Sequence, residues 1–94
     1  MNIDAIPIQN PRCVSEDLPA DEIMILDENN TIAMVLDPMG SAVWLLCDGV
    51  SSVRDIVSLI CETIAGTDPE TVEQDVVGFV RVLSDAGLVS LTEP

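Results

Sequence analysis

The sequence predicts an α+β domain that resembles a winged helix-turn-helix, with an N-terminal three-stranded antiparallel sheet followed by a three-helix bundle. Short apolar runs separated by turn residues fill the chain up to Leu36, as strands do. Three segments with apolar residues at helical spacing follow, each opened by a capping residue. This order of strands and then helices is typical of the α+β class. The 94 residues suit one domain, and 48% hydrophobic residues supply its core.

The N-terminal segment, residues 1–11, is predicted to be a partly flexible lead-in. Pro7 and Pro11 interrupt regular structure there, and chain ends are commonly mobile. The domain itself is predicted to cover residues 12–91. Its first strand is expected within residues 12–18, "RCVSEDL".

A β-hairpin is predicted next. Residues 23–26, "IMIL", form a strand-like run, and 27–30, "DENN", are typical turn residues. The return strand, 31–36, alternates Ile32, Met34 and Leu36 with Thr31, Ala33 and Val35. Both of its faces are therefore largely apolar. Such a strand is either central in a sheet or an edge that accepts a partner.

The first two helices have clear start signals. Asp37 can cap a helix that Pro38 opens, and Gly49 is expected to end it. Ser52 and Asp55 have the spacing of a capping box at the start of the second helix. The local sequence around Gly49 is thereby explained by the end of one helix and the start of the next, rather than by a catalytic motif.

The third helix is expected to begin within 67–70, "TDPE", and to end at Gly87. Residues 88–91, "LVSL", are predicted to be extended. The apolar face of this helix consists of Val72, Val76, Phe79, Val80 and Leu83.

Charge and composition limit the function. The net charge is −14, with three arginines, no lysine and no histidine. Nucleic acid and anionic membranes are therefore disfavoured, whereas a basic peptide or protein patch would be attracted. Acidity that serves only solubility is an equal alternative. Three widely spaced cysteines and the lack of a signal peptide favour a location in the reducing cytoplasm. Because the cysteines are not spaced as metal ligands and histidine is absent, no metal or cofactor is expected.

Enzymatic activity is not expected. The serines have no base beside them, the glycines are scattered, and Cys47 falls at a helix C-terminus, which raises a thiol pKa. No catalytic residue is therefore predicted. An acyl-carrier protein would need an Asp-Ser-Leu motif, which this sequence lacks.

Two stretches, "VLDPMGSAVWLLCDGVSSVRDIV" and "VEQDVVGFVRVLSDAGLV", resemble the PqqD-like family, also called RiPP recognition elements. The similarity covers about residues 12–91. Asp37 stands where the family usually has asparagine, and Val80 where it has leucine. A C-terminal tryptophan typical of the pyrroloquinoline quinone member is absent, so that pathway is not assigned. The matching positions are Leu36, Trp44, Leu46, Asp48, Gly49, Val53, Ile56, Asp75, Val76, Phe79, Leu83, Gly87 and Leu88.

The resemblance implies that the chain binds the leader segment of a ribosomally made precursor peptide, without catalysis. The leader would add as a strand beside the third strand, pack on the third helix, and be presented to a modifying enzyme such as a radical enzyme, protease or cyclase. The apolar strand independently favours this mode. The candidate peptide-binding residues are Ile32, Ala33, Met34 and Val35 on the strand, and Val72, Asp75, Val76 and Phe79 on the helix.

Other interpretations stay open at this point. Val72, Val76 and Phe79 have the spacing of core residues, and Asp75 could simply lie in solvent. Alternation does not decide whether Met34 faces the helices or the peptide. A winged-helix regulator or a protein-interaction adaptor is the alternative function, although the exposed residues of the third helix are mostly acidic and would repel DNA.

Overall fold

The structure is a computed structural model that describes residues 1–93. Within that range, five strands and three α-helices follow one another. They are β1 (Ile6–Gln9), β2 (Val14–Leu18), β3 (Glu22–Leu26), β4 (Ile32–Leu36), α1 (Pro38–Leu46), α2 (Val53–Thr63), α3 (Pro69–Asp85) and β5 (Val89–Thr92). The predicted α+β class, with three helices and antiparallel sheet, is confirmed.

The strands form two sheets, so the detailed prediction of one N-terminal three-stranded sheet is not confirmed. One sheet has the order β2-β3-β4, and the other pairs β1 with β5, all antiparallel. The second sheet joins the two ends of the described chain, and no local sequence signal marks such a distant pairing. The likeness to a winged helix stays a prediction.

The N-terminal segment is more regular than predicted. Ile6–Gln9 form β1, so the expectation that Pro7 keeps this stretch irregular is wrong. Pro7 lies opposite Leu91 in β5. The Pro7 carbonyl accepts from the Gly49 amide at 3.0 Å, so the backbone of Pro7 faces away from β5. Proline is tolerated there because its missing N–H removes no hydrogen bond between β1 and β5, and the other side of β1 makes only an isolated bridge at Asp48. The domain boundary at residue 12 remains a prediction.

The residues before β1 complete the start of α2. The carbonyl of Ala5 accepts from the Val53 amide at 2.9 Å, and that of Ile3 accepts from the Arg54 amide at 2.8 Å. The Arg54 guanidinium also contacts the carboxylate of Asp4 at 3.0 Å. Since the first amides of a helix have no partner within the helix, these carbonyls stabilise the α2 N-terminus.

The turn between β3 and β4 is built as the sequence predicts. The Asp27 carboxylate accepts from the amides of Asn29 (2.9 Å) and Thr31 (3.0 Å). Asn30 has a φ of 61°, a left-handed conformation that asparagine tolerates better than most residues. The predicted hairpin is therefore present, and its turn determines the alignment of β4 with β3.

The starts of the first two helices also match the prediction, whereas Asp68, before α3, makes no side-chain capping bond. The Asp37 carboxylate accepts from the Gly40 amide at 2.7 Å, and Pro38 is the first helical residue. Ser52 and Asp55 form a reciprocal capping box, with bonds of 3.1 Å and 3.0 Å. Because α1 begins directly after β4, its first turn is held next to the end of that strand.

One hydrophobic core lies between the three-stranded sheet and the helices. Trp44 and Ile25 are fully buried within it, so α1 packs directly on β3. Helix α3 packs mainly on α2 and β5 and also contacts α1, but it is not packed closely against β4. This arrangement leaves a gap between β4 and α3. Among the described helices, none is long and apolar enough to cross a membrane.

Candidate functional site

The strand β4 lies at the edge of its sheet. It pairs with β3 on one side, and within residues 1–93 no strand pairs with its other side. Ile32 and Val35 are 59% and 52% exposed, which is unusual for apolar strand residues. An apolar edge strand with unpaired backbone groups is a ready template for another extended chain.

The register with β3 shows which way the side chains of β4 point. Met34 lies opposite Ile25, and Leu36 lies opposite Ile23. Residues directly opposite in an antiparallel pair share a face of the sheet, so Met34 and Leu36 face the core. Leu36 is buried, whereas Met34 is half-buried and contacts the core from the rim. The sequence did not decide which way Met34 points, and the structure shows that it points toward the helices.

Ala33 lies at an irregularity in the pairing. The register moves from Ile25–Met34 to Leu26–Ile32, which leaves Ala33 without an opposite residue. Such a bulge bends an edge strand and interrupts its ladder. The regular part of β4 is therefore short and adjoins the start of α1.

A groove of about 570 Å³ runs beside this regular part of β4. Its walls are β4, the first turns of α1, and the middle of α3, and most of its lining surface is apolar. The lining residues are Met34, Val35, Leu36, Asp37, Met39, Gly40, Val43, Asp75, Val76 and Phe79.

Phe79 and Gly40 bring α3 and α1 together at the wall of the groove. A Cβ atom added to Gly40 would lie 3.0 Å from Cζ and 3.3 Å from Cε1 of the Phe79 ring. Ordinary carbon contacts are longer, so the ring occupies space that only glycine leaves free. Phe79 is half-buried and also contacts the core. The ring is therefore part of the packing and part of the groove surface.

The charged residues of the groove are both acidic. One oxygen of Asp37 is used to cap α1. The Asp75 carboxylate is exposed and makes no hydrogen bond or ion pair with any described residue. Two of the three arginines are engaged elsewhere, Arg12 with Glu28 and Arg54 with Asp4. The rim of the groove therefore carries negative charge.

The structure brings together five of the eight residues that the sequence proposes for peptide binding. Met34, Val35, Asp75, Val76 and Phe79 line the groove. Val76 is only 1% exposed, so it contributes mainly to the core beneath.

The other three proposed residues lie outside the groove lining. Ile32 and Ala33 are exposed at the far end of β4, with Ala33 at the bulge and Ile32 beyond it. Val72 is 5% exposed and belongs to the core, as the alternative interpretation of this residue proposes.

Sequence reasoning missed the wall that α1 contributes. Asp37, Met39, Gly40 and Val43 line the groove but were not proposed as site residues. A signal for them was present, because a helix whose cap follows a strand without a linker must place its first turn at the end of that strand. The sequence predicted the cap at Asp37, but the position of the first turn of α1 beside β4 was not inferred from it.

No catalytic arrangement emerges at Cys47. Burial, and to a smaller extent the neighbouring charge of Asp48, raises the pKa of the Cys47 thiol to about 12. The direction agrees with the prediction, but the main cause is burial rather than the end of the helix. Within residues 1–93, no group of three or more acidic or cysteine side chains is placed to hold a metal ion.

Comparison with known proteins places the chain in a family. The family described as coenzyme PQQ synthesis protein D (PqqD) matches residues 22–89, a range that includes every wall of the groove. The chain belongs to the PqqD family. No match was found among curated proteins.

A solved structure of another protein is similar to this PqqD family member. It is described as TbiB1 in complex with the TbiA(beta) leader peptide. The two chains are 30% identical, with a TM-score of 0.76, and the similarity covers 88% of this chain and 94% of that one. The fold and the family are thereby supported by two separate comparisons.

The Phe79–Gly40 contact gives a test of the groove wall. Gly40→Ala places a methyl group against the ring and the Asp37 carboxylate, so it should lower the free energy of unfolding by about 1 kcal/mol. Gly78→Ala is the matched control, because nothing lies within 4 Å of its added Cβ. It should instead stabilise α3 by about 0.5–1 kcal/mol. Urea unfolding measures both; equal stabilisation by the two variants would contradict the contact.

Proposed function

We propose that this protein recognises the leader segment of a ribosomally synthesised precursor peptide. The observation that carries the proposal is the open edge of β4 beside an apolar groove. The family assignment and the similarity to TbiB1, which was solved with a leader peptide, support the same function.

The leader would bind as an added strand along β4. Unpaired backbone groups at a sheet edge form hydrogen bonds with any extended chain, which provides affinity with little dependence on sequence. The bulge at Ala33 interrupts the ladder, so we propose that pairing is concentrated on Met34–Leu36. Ile32 and Ala33 would then contribute at most to the end of the bound segment.

Side chains in the groove would select the leader. Met34, Met39 and Phe79 offer an apolar surface at its walls. Methionine side chains adapt to irregular shapes, and an aromatic ring offers a large contact area. We propose that alternate residues of the leader insert apolar side chains here, because in an added strand every second side chain points to the same face.

Asp75 would recognise a basic residue of the leader. Its carboxylate is exposed at the rim and has no partner among the described residues. The net charge of −14 would also attract a basic leader from a distance and raise its association rate. Asp37 would contribute only charge, because it already caps α1.

In this proposal the protein is noncatalytic. It holds the precursor while a separate enzyme modifies it, such as a radical enzyme, a protease or a cyclase. The groove supports this division because it contains acidic and apolar groups but no nucleophile beside a base.

Strand addition can be tested without altering the protein. Leader peptides carrying a single N-methylated amide, one position at a time, would be titrated by isothermal calorimetry. Each lost hydrogen bond should cost about 1 kcal/mol, roughly fivefold in Kd. Affinity should fall at every second position, because alternate amides of an added strand face β4. Unmethylated leader is the reference. A helical periodicity of three to four, or no positional dependence, would contradict strand addition.

The proposed role of Asp75 gives a second test. Asp75→Asn should weaken binding of a leader that carries a lysine or arginine in the bound segment, and should reduce the dependence of Kd on salt. A change of about threefold to tenfold is expected for a pair at a partly exposed rim. Asp85→Asn is the matched control, an exposed carboxylate on the same helix but outside the groove. If both variants weaken binding equally, only overall charge matters and Asp75 has no specific role.

A further inference from the structure

A second apolar groove lies between α1 and α2. It has a volume of about 290 Å³, and its lining is almost entirely apolar. Leu45, Leu59 and Ile64 are 61%, 44% and 42% exposed there. Scattered exposed apolar residues are normal, but adjacent ones that line a common groove mark an interaction surface.

An acidic depression adjoins this groove. It has a volume of about 430 Å³, lies between the β2–β3 hairpin and α1, and shares Ala42 and Leu45 with the apolar groove. Three carboxylates line it, those of Asp17, Asp21 and Glu22. Neither depression has an arginine among its lining residues. The combined surface, which we call the α1–α2 face, is therefore apolar at one end and negatively charged at the other.

The α1–α2 face is separate from the groove beside β4. Helix α1 contributes Met39, Gly40 and Val43 to the groove beside β4, but Ala42 and Leu45 to the α1–α2 face. No residue lines both. Since successive residues are rotated by about 100° around a helix, two neighbouring sides of α1 line the two surfaces. A partner on the α1–α2 face can therefore bind at the same time as a peptide on β4.

The charge of the α1–α2 face identifies the kind of occupant. A second copy of this chain would bring carboxylates against carboxylates, and like charges at an interface oppose binding. Nucleic acid and anionic membrane would be repelled for the same reason. A protein segment with apolar and basic side chains satisfies both ends of the face.

We propose that the α1–α2 face docks a partner protein through a basic amphipathic helix. Its apolar side chains would enter the groove between α1 and α2, and its lysines or arginines would contact Asp17, Asp21 and Glu22. Amphipathic helices commonly bind apolar grooves through the apolar side chains on one face of the helix. This inference goes beyond leader binding and stands without it.

A synthetic amphipathic peptide of leucine and lysine, about 18 residues long and able to form a helix, is the probe. Titrated into isotopically labelled protein, it should shift the amide signals of residues 42–46 and 59–64. A peptide of the same composition in scrambled order should bind at least tenfold more weakly, because it lacks the apolar stripe. Equal binding of the two peptides, or shifts confined to β4 and α3, would overturn the proposal.

Variants locate the binding on the surface. Leu45→Ser should raise the Kd of the amphipathic peptide at least tenfold. The double variant Asp17→Asn, Asp21→Asn should reduce the dependence of that Kd on salt. Val82→Ser is the matched control, an apolar residue of α3 that is 51% exposed and lies outside both grooves; it should leave Kd unchanged. Urea unfolding checks that each variant is folded. Unchanged binding by folded Leu45→Ser would refute the proposal.

Two further readouts distinguish partner docking from leader binding and from self-association. Saturation with leader should leave the Kd of the amphipathic peptide unchanged, and a leader that fails to bind would refute the proposed function without affecting this inference. Sedimentation of the free protein should show a monomer at the concentrations used. A dimer that Leu45→Ser abolishes would mean that a second copy occupies the face, and would overturn the proposal.

Discussion

The contact between the Phe79 ring and Gly40 is the constraint on which the candidate site depends. It determines how closely α3 approaches α1, and α1 is attached directly to the end of β4 through the Asp37 cap. Because α3 packs mainly on α2 and β5, it leaves the outer edge of β4 uncovered. The open edge and the apolar wall beside it thus result from the same packing. A bulkier residue at Gly40 would disturb both.

In the proposed function, charge adds to the selection of the leader. Hydrogen bonds along a sheet edge discriminate poorly between peptides, and apolar grooves accept many side chains of similar size. With 17 acidic residues and three arginines, the protein repels acidic partners over its surface and attracts basic ones. The groove beside β4 and the α1–α2 face each combine apolar walls with carboxylates, and neither has an arginine among its lining residues. Under the two proposals, a basic leader and a basic partner protein bind on neighbouring surfaces of the molecule.

Local signals in the sequence predicted most of this fold. The Asp37–Pro38 start, the Ser52–Asp55 capping box and the turn at Asp27 each act within a few residues, and all three are present as predicted. The pairing of β1 with β5 was missed because it depends on contacts between the two ends of the described chain. Pro7 argued against a strand, yet its backbone faces away from β5, so its missing N–H costs no hydrogen bond between β1 and β5.

The candidate site was predicted only in part, for a related reason. Periodicity identified α3 and the strand of Met34, but it could not say how far apart they lie or which side chains meet. The bulge at Ala33 has no sequence signature, so the sequence could not show that Ile32 and Ala33 lie outside the groove lining. The α1 wall had a local signal in the cap that follows β4 directly, but the angle at which α1 leaves β4, and so the α1 side chains that face the groove, had none.

Amide hydrogen exchange on β4, with and without a saturating leader peptide, tests the central claim most directly. Exchange of the outward-facing amides of β4 should slow when the leader binds, since they become hydrogen-bonded. The strand β2 is an internal control, because it forms the other edge of the same sheet and should keep its exchange rates. A leader that binds, as measured by calorimetry, but leaves β4 exchange unchanged or protects β2 instead would contradict this account.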